Sequence, residues 1–251
     1  AYEIRPRDWS SDVCSSDLYF FSALPFFLAG AIVSLAISET IERIDRVYFF
    51  DLLGAAGGCL LLIPLLNNFG GPNTVIAAAV LFAVGSAIWY NLDGNRTLRA
   101  ASVFLALLLT TLIVLNAKAH WIDVHYAKGQ TLDNELFVRW NTFSRIAVAK
   151  EKSSGQTQIV IDADASTGIM DFNVDALTPD QRRDLTQQGP AFPYLMRPGA
   201  KTLIIGPGGG WDVARALAAG SKDITGVEIN PIIANTIMRG EFSWISRNLY
   251  R

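Results

Sequence analysis

Residues Thr202 to Pro231 read TLIIGPGGGWDVARALAAGSKDITGVEINP, and this stretch decides the fold. Leu203, Ile204 and Ile205 make a short apolar run that stops at Gly206-Pro207-Gly208-Gly209-Gly210, and helix-forming residues follow from Asp212 to Ala219. That order is strand, glycine turn, helix. A second strand-like run, Ile224 to Val227, ends on Glu228, about twenty residues after the first glycine, which is the spacing of a nucleotide-binding βαβ unit. A right-handed unit of this kind sets the two strand ends side by side at the carboxyl edge of a parallel sheet.

The chemistry expected there follows from the residue types. Gly206, Gly208, Gly209 and Gly210 permit positive φ and carry no Cβ, so the backbone can approach a ligand and direct N–H groups at it. Glu228 is placed where a carboxylate can accept both hydroxyls of a ribose. The predicted ligand is an adenosine-type nucleoside cofactor. A dinucleotide fingerprint wants glycine at the third position of G-x-G-x-x-G, but Trp211 stands there. Its indole is expected to obstruct close packing of helix on strand, which disfavours NAD and FAD.

The segment resembles motif I of the class I S-adenosylmethionine-dependent methyltransferase fold. With GVEINP as the acidic second strand it is most similar to the spermidine synthase-like (polyamine aminopropyltransferase-like) branch, over about Phe137 to the end of the sequence. The resemblance implies a transferase whose donor is S-adenosylmethionine or its decarboxylated form, held by Gly206, Gly208, Gly209, Gly210 and Glu228 without a metal. The acceptor would be a small molecule, a polyamine or another nucleophile. In the same resemblance Trp140 to Arg145 match the segment opening a small β region, and Ile161-Asp162 the strand carrying a substrate-facing acid. Asp162 and Asp164 are candidates for contacting an amine, and ordinary turn carboxylates are the alternative. The family pattern G-G-G-D-G places a donor-holding acid where this chain has Gly209, and Asp212 lies three residues on. The acids that would deprotonate the amine belong beyond the second strand, so no catalytic residue is assigned.

Composition divides the chain. Of 251 residues, few before Ala117 are charged, whereas the rest has an ordinary charge content. That split predicts a membrane half and a soluble half. Net charge is only -2 and no basic run occurs, which argues against a nucleic-acid partner. The two cysteines, Cys14 and Cys59, indicate neither a disulfide framework nor a zinc site.

Asp8 to Leu18, DWSSDVCSSDL, translates a sequence similar to a widely used sequencing-library adapter, so residues 1–18 are expected to be a non-native tail. Further helices are then expected upstream of Tyr19. Tyr19–Ser38, Phe49–Leu66, Thr74–Leu92 and Leu98–Asn116 are each apolar for roughly the 20 residues that cross a bilayer. Four spanning helices are predicted within residues 19–117, with the lipid bilayer as partner. Gly54 and Gly58 would let another helix approach closely, and Asp51 would begin a helix or reach for water.

Arg43, Arg46, Arg96 and Arg99 lie in two of the connections, while NNFGGPN carries no basic residue. The positive-inside rule would put the soluble half outside. An adenosylmethionine-type cofactor is cytoplasmic, and that argument is preferred: a bacterial inner-membrane protein with a cytoplasmic soluble half.

Residues 118–199 are expected to hold a polar connector and a small β region, with His120 and His125 as interfacial residues beside Trp121. Phe143–Ala149 and Thr157–Asp162 predict a β-hairpin turning at Lys152-Ser153-Ser154-Gly155. Thr178-Pro179-Asp180-Gln181 predicts a capped helix start, closed by Gly189-Pro190, after which Pro193-Tyr194-Leu195 leads to the next strand. Residues 200–251 are expected to be the beginning of a Rossmann-like (class I methyltransferase-type) domain, truncated at two parallel strands. Two other functions fit the same residues: a nucleotide-dependent oxidoreductase, and a non-enzymatic membrane protein whose soluble half senses a nucleoside.

Overall fold

The computed structural model describes residues 15–127, 130–132, 134–151, 154–163 and 165–250. The turn residues Lys152 and Ser153, the candidate Asp164 and all but the last few residues of the expected tail lie outside these. The chain divides into two compact units, Ala1–Leu60 and Leu61–Arg251.

In the first unit, helix α1 (Ser15–Glu39) begins inside the expected tail. A single 3-10 turn at Ile41–Arg43 leads into helix α2 (Ile44–Leu92). Side chains such as Phe26, Phe27, Phe49 and Phe50 stand exposed, as they do on helices whose solvent is hydrocarbon. A Cβ added at Gly54 or Gly58 meets nothing within 4 Å, so among the described residues no neighbouring helix uses that strip.

The predicted four spans are present as three helices long and apolar enough to cross a membrane, α1, α2 and α3 (Arg96–Ala119). The difference lies in α2. The expected NNFGGPN connection stays helical on both sides and breaks only at Gly70 (φ 76, ψ 175), so expected spans two and three become arms of one 49-residue helix. Two side chains bond carbonyls beside the break. Asn73 Nδ2 donates to the Phe69 carbonyl at 3.0 Å, and Thr74 Oγ1 to that of Gly70 at 2.7 Å.

The second arm and α3 form an antiparallel hairpin. Asn91 meets Arg99 (2.7 Å), Ser86 meets Ser102 (2.9 Å) and Asn73 meets Asn116 (2.8 Å), so partners approach along one arm as they recede along the other. Asn95 caps α3, accepting from the Leu98 N–H at 3.1 Å. At the far end His120 takes a left-handed conformation (φ 52) and closes the helix on the Asn116 carbonyl. Asn116 also holds both the N–H and the carbonyl of Ile122, at 2.6 and 3.0 Å.

After a short pair, β1 (Tyr126–Ala127) and β2 (Gln130–Thr131), the predicted hairpin appears within a larger antiparallel sheet. Its strands run in sequence order: β3 (Glu135–Trp140), β4 (Arg145–Lys150), β5 (Thr157–Ile161) and β6 (Ala165–Gly168). Ile146 pairs with Ile161 and Val148 with Ile159, which puts these apolar residues on one face. That face is covered by Ile232, Ile233, Ile237 and Met238 of α7 (Ile232–Glu241), a segment with π-type hydrogen bonding. Arg145 on β4 is buried and makes two 2.6 Å bonds to the carboxylate of Glu135. The Glu135 hydrogen bond and charge hold its pKa above the ordinary arginine value against the opposing effect of burial.

Helix α4 (Pro179–Gln187) starts with the predicted capping box, Thr178 and Gln181 bonding each other's backbone. α4 ends just before Gly189-Pro190, which open a 3-10 turn, Gly189–Ala191, and Pro193-Tyr194-Leu195, expected to lead to the next strand, lie in a short helix, α5 (Phe192–Met196). Pro190 and Pro193 each fall in the first turn of a helical segment, where their fixed φ suits a helix and the missing N–H costs nothing. Strand β7 (Thr202–Ile205), helix α6 (Trp211–Ala218) and strand β8 (Ile224–Val227) follow as predicted. β7 and β8 are parallel, Ile205 beside Val227. The architecture is long apolar helices, a small antiparallel sheet and further α/β elements.

Candidate functional site

The parallel pairing of β7 with β8 is what joins the two halves of the predicted site. The Gly206 N–H donates to the Val227 carbonyl at 2.8 Å, extending the ladder by one bond past β7 and aligning the start of the bend with the end of β8. Glu228, the next residue, then lies against the bend: the Gly208 N–H points at Oε2 from 3.4 Å. Oε1 accepts from the backbone N–H of Asn230 at 3.0 Å. An ionised carboxylate offers about four lone-pair directions, so two contacts leave room for others.

The bend itself is used largely by the protein. Gly210 donates its N–H to the Pro207 carbonyl at 2.9 Å. Gly209 accepts from the Met170 N–H at 2.9 Å, and a Cβ there would lie 2.0 Å from the Gly168 carbonyl oxygen. Gly210, at φ 92, faces Leu249, whose Cδ2 would be 2.7 Å from an added Cβ. Tyr250 donates its hydroxyl to the Gly208 carbonyl at 2.9 Å. The predicted approach of a ligand to these glycines is therefore realised at Gly209 and Gly210 by strand β6 and the segment at 249–250. Gly206 (φ 68) has open space around it.

Trp211 does not obstruct the packing of helix on strand. Its indole N–H donates to the Gly168 carbonyl at 2.9 Å and its ring meets that of Phe172 edge-on at 5.6 Å, so the small β region takes it up. Asp212 is paired with Arg215 at 3.1 Å. Tyr194 is held above the ordinary tyrosine pKa, first by burial and then by the Asp212 charge. Asp162 accepts from the Arg145 N–H at 2.9 Å and sits at φ 50, a turn carboxylate.

A cavity of about 620 Å³ opens beside Glu228, within the range of small-molecule sites. Its walls include Pro207, Phe172, Ile229, Arg239 and Tyr250; Gly206, Gly208, Gly209 and Gly210 are not among them. Burial, and after it the Glu228 charge, pushes the Tyr250 phenol above its usual pKa. Free lone pairs and open volume coincide at Glu228, whereas the Gly209–Gly210 half of the bend is covered by the chain itself.

Two contributors were missed by sequence reasoning. Asn230 accepts from the Ile232 N–H at 3.0 Å, and an Asn before Pro and an apolar run is a local signal of that kind of turn. Tyr250 carries no such signal, since its contact with Gly208 spans 42 residues. No family model, curated protein or solved structure matches this chain.

Proposed function

We propose that this is a membrane-anchored, spermidine synthase-like transferase whose soluble half binds S-adenosylmethionine or its decarboxylated form at Glu228. The observation that carries this reading is the Glu228 carboxylate, 3.4 Å from the Gly208 N–H and on the wall of a cavity of about 620 Å³. Glu228 would take the ribose hydroxyls, while Phe172 and Tyr250 offer ring surface to the base. The donor supplies an electrophilic carbon next to sulfur, and the protein's part is to hold it in line with a small-molecule acceptor of the polyamine class. A cytoplasmic soluble half at a bacterial inner membrane fits such a donor. The exposed apolar helices support membrane attachment.

A second reading, a nucleoside sensor without catalysis, draws on the absence of an acid at Gly209 and the pairing of Asp212 with Arg215. The oxidoreductase reading regains ground because Trp211 does not block the helix. Calorimetry on the full chain in detergent separates them. Adenosylmethionine-type ligands bind, and Glu228→Ala weakens them by about 1.5–3 kcal/mol, the loss for a hydrogen bond to a charged group. Tight NADH binding without a response to either form of the donor contradicts the proposal. Binding without turnover of any amine acceptor favours the sensor.

A further inference from the structure

We infer that Asn141 and Asn230 are positioning residues for Glu228, and that they tie its carboxylate to the break in α2 at Gly70 and Gly71. At the break, a Cβ on Gly71 would lie 2.7 Å from the Trp140 ring, so the indole seats directly on the glycine backbone. Two residues on, the Thr142 N–H donates to Asn67 Oδ1 at 3.1 Å. The segment leaving β3 therefore grips the helix on both sides of Asn141.

Asn141 reaches from that segment toward the acid. Its Nδ2 donates to Asn230 Oδ1 at 2.7 Å, and its Oδ1 accepts from the N–H groups of Phe143 and Ser144 at 2.9 and 3.0 Å. Asn230 in turn donates through Nδ2 to Ser144 Oγ at 3.0 Å. Its backbone N–H is the one that holds Glu228 Oε1 at 3.0 Å. Both asparagines are buried, 9% and 4% exposed. A buried amide that loses a partner bears the full desolvation cost of the orphaned group, so this network favours one geometry. A displacement of Trp140 or Thr142 at the break is carried to Glu228 through the Asn141–Asn230 bond.

Two measurements test this on the full chain in lipid nanodiscs. The first is amide hydrogen exchange and needs no ligand. Asn141→Ala speeds exchange at the Gly208 and Asn230 amides by about tenfold, the scale of one lost hydrogen bond, while amides of α6 keep their rates. Gly71→Ala, which leaves every side chain of the network in place, speeds the Asn230 amide by about threefold. Unchanged exchange at 208 and 230, or equal acceleration throughout α6, overturns the inference. No effect of Gly71→Ala at Asn230 overturns the link to the break.

The second measurement uses adenosine as the probe and rests on the proposed nucleoside site. Asn141→Ala weakens adenosine by about tenfold, yet adds nothing in the Glu228→Ala background, because Asn141 acts only through that acid. Losses that multiply in the double variant overturn the positioning role. If the parent chain does not bind adenosine, the nucleoside reading fails, and the exchange measurement still decides on the network.

Discussion

Two glycine clusters, Gly70-Gly71 in α2 and Gly206 to Gly210 after β7, use the absence of a side chain in the same two ways. Each contains a residue at clearly positive φ, Gly70 at 76° and Gly206 at 68°. Each also contains a glycine against which another part of the protein is pressed: Trp140 on Gly71, and the Gly168 carbonyl on Gly209. One cluster lies in an apolar helix and reads as a loop; the other follows a strand and reads as a ligand turn. The comparison teaches that a bare backbone invites close approach without specifying the guest. At Gly71 and Gly209 the guest is the chain itself.

Substitutions can break this parallel, beginning with the largest effect. Gly209→Ala puts a methyl 2.0 Å from a backbone oxygen that cannot rotate away, so it costs about 3 kcal/mol or more in chemical denaturation, the upper range for overpacking. Gly209 does not occupy the left-handed region, so this loss reports packing alone. Gly71→Ala meets a side-chain ring at 2.7 Å, which can shift, and is expected to cost about 2 kcal/mol. Gly206→Ala meets nothing within 4 Å at φ 68 and reports backbone strain alone, about 1 kcal/mol. If Gly206→Ala proved costlier than Gly209→Ala, conformation and not contact would dominate the bend.

The smallest effect is in pH. Tyr250 keeps its proton in the folded chain above the ordinary tyrosine range because of burial and the neighbouring Glu228 charge. The unfolded phenol ionises near pH 10, so the stability this group contributes is present below about pH 10 and is lost as pH rises beyond it. Tyr250→Phe flattens that alkaline decline by less than about 1 kcal/mol per pH unit, after solvent screening. Denaturation curves between neutral and strongly alkaline pH check it.

Much of the fold was legible because its signals are local. Thr178, Pro179 and Gln181 specify a helix start within four residues, and the apolar patterns of Ile146–Val148 and Ile159–Ile161 specify paired strands. The spacing from Gly206 to Glu228 specified a βαβ unit, and the parallel pair is there. The single-residue break at Gly70 was not legible, because its stability depends on Asn73, Thr74 and a Trp140 that arrives from seventy residues away. The same holds at the candidate site. The nearness of Glu228 to the bend was legible from its place at a strand end, but the packing of Gly168, Leu249 and Tyr250 on the bend and the reach of Asn141 to Asn230 are contacts between distant segments. No residue type or spacing announces them.

The proposed site is tested most directly by photolabelling the full chain with 8-azidoadenosine and mapping the labelled peptides. The account predicts label in the cavity walls, at Phe172 to Asp175 or at Arg239, Ser246, Arg247, Leu249 and Tyr250, competed by excess adenosine and reduced about tenfold or more by Glu228→Ala. Label spread over the apolar helices, or left undiminished when Glu228 is replaced, would contradict it.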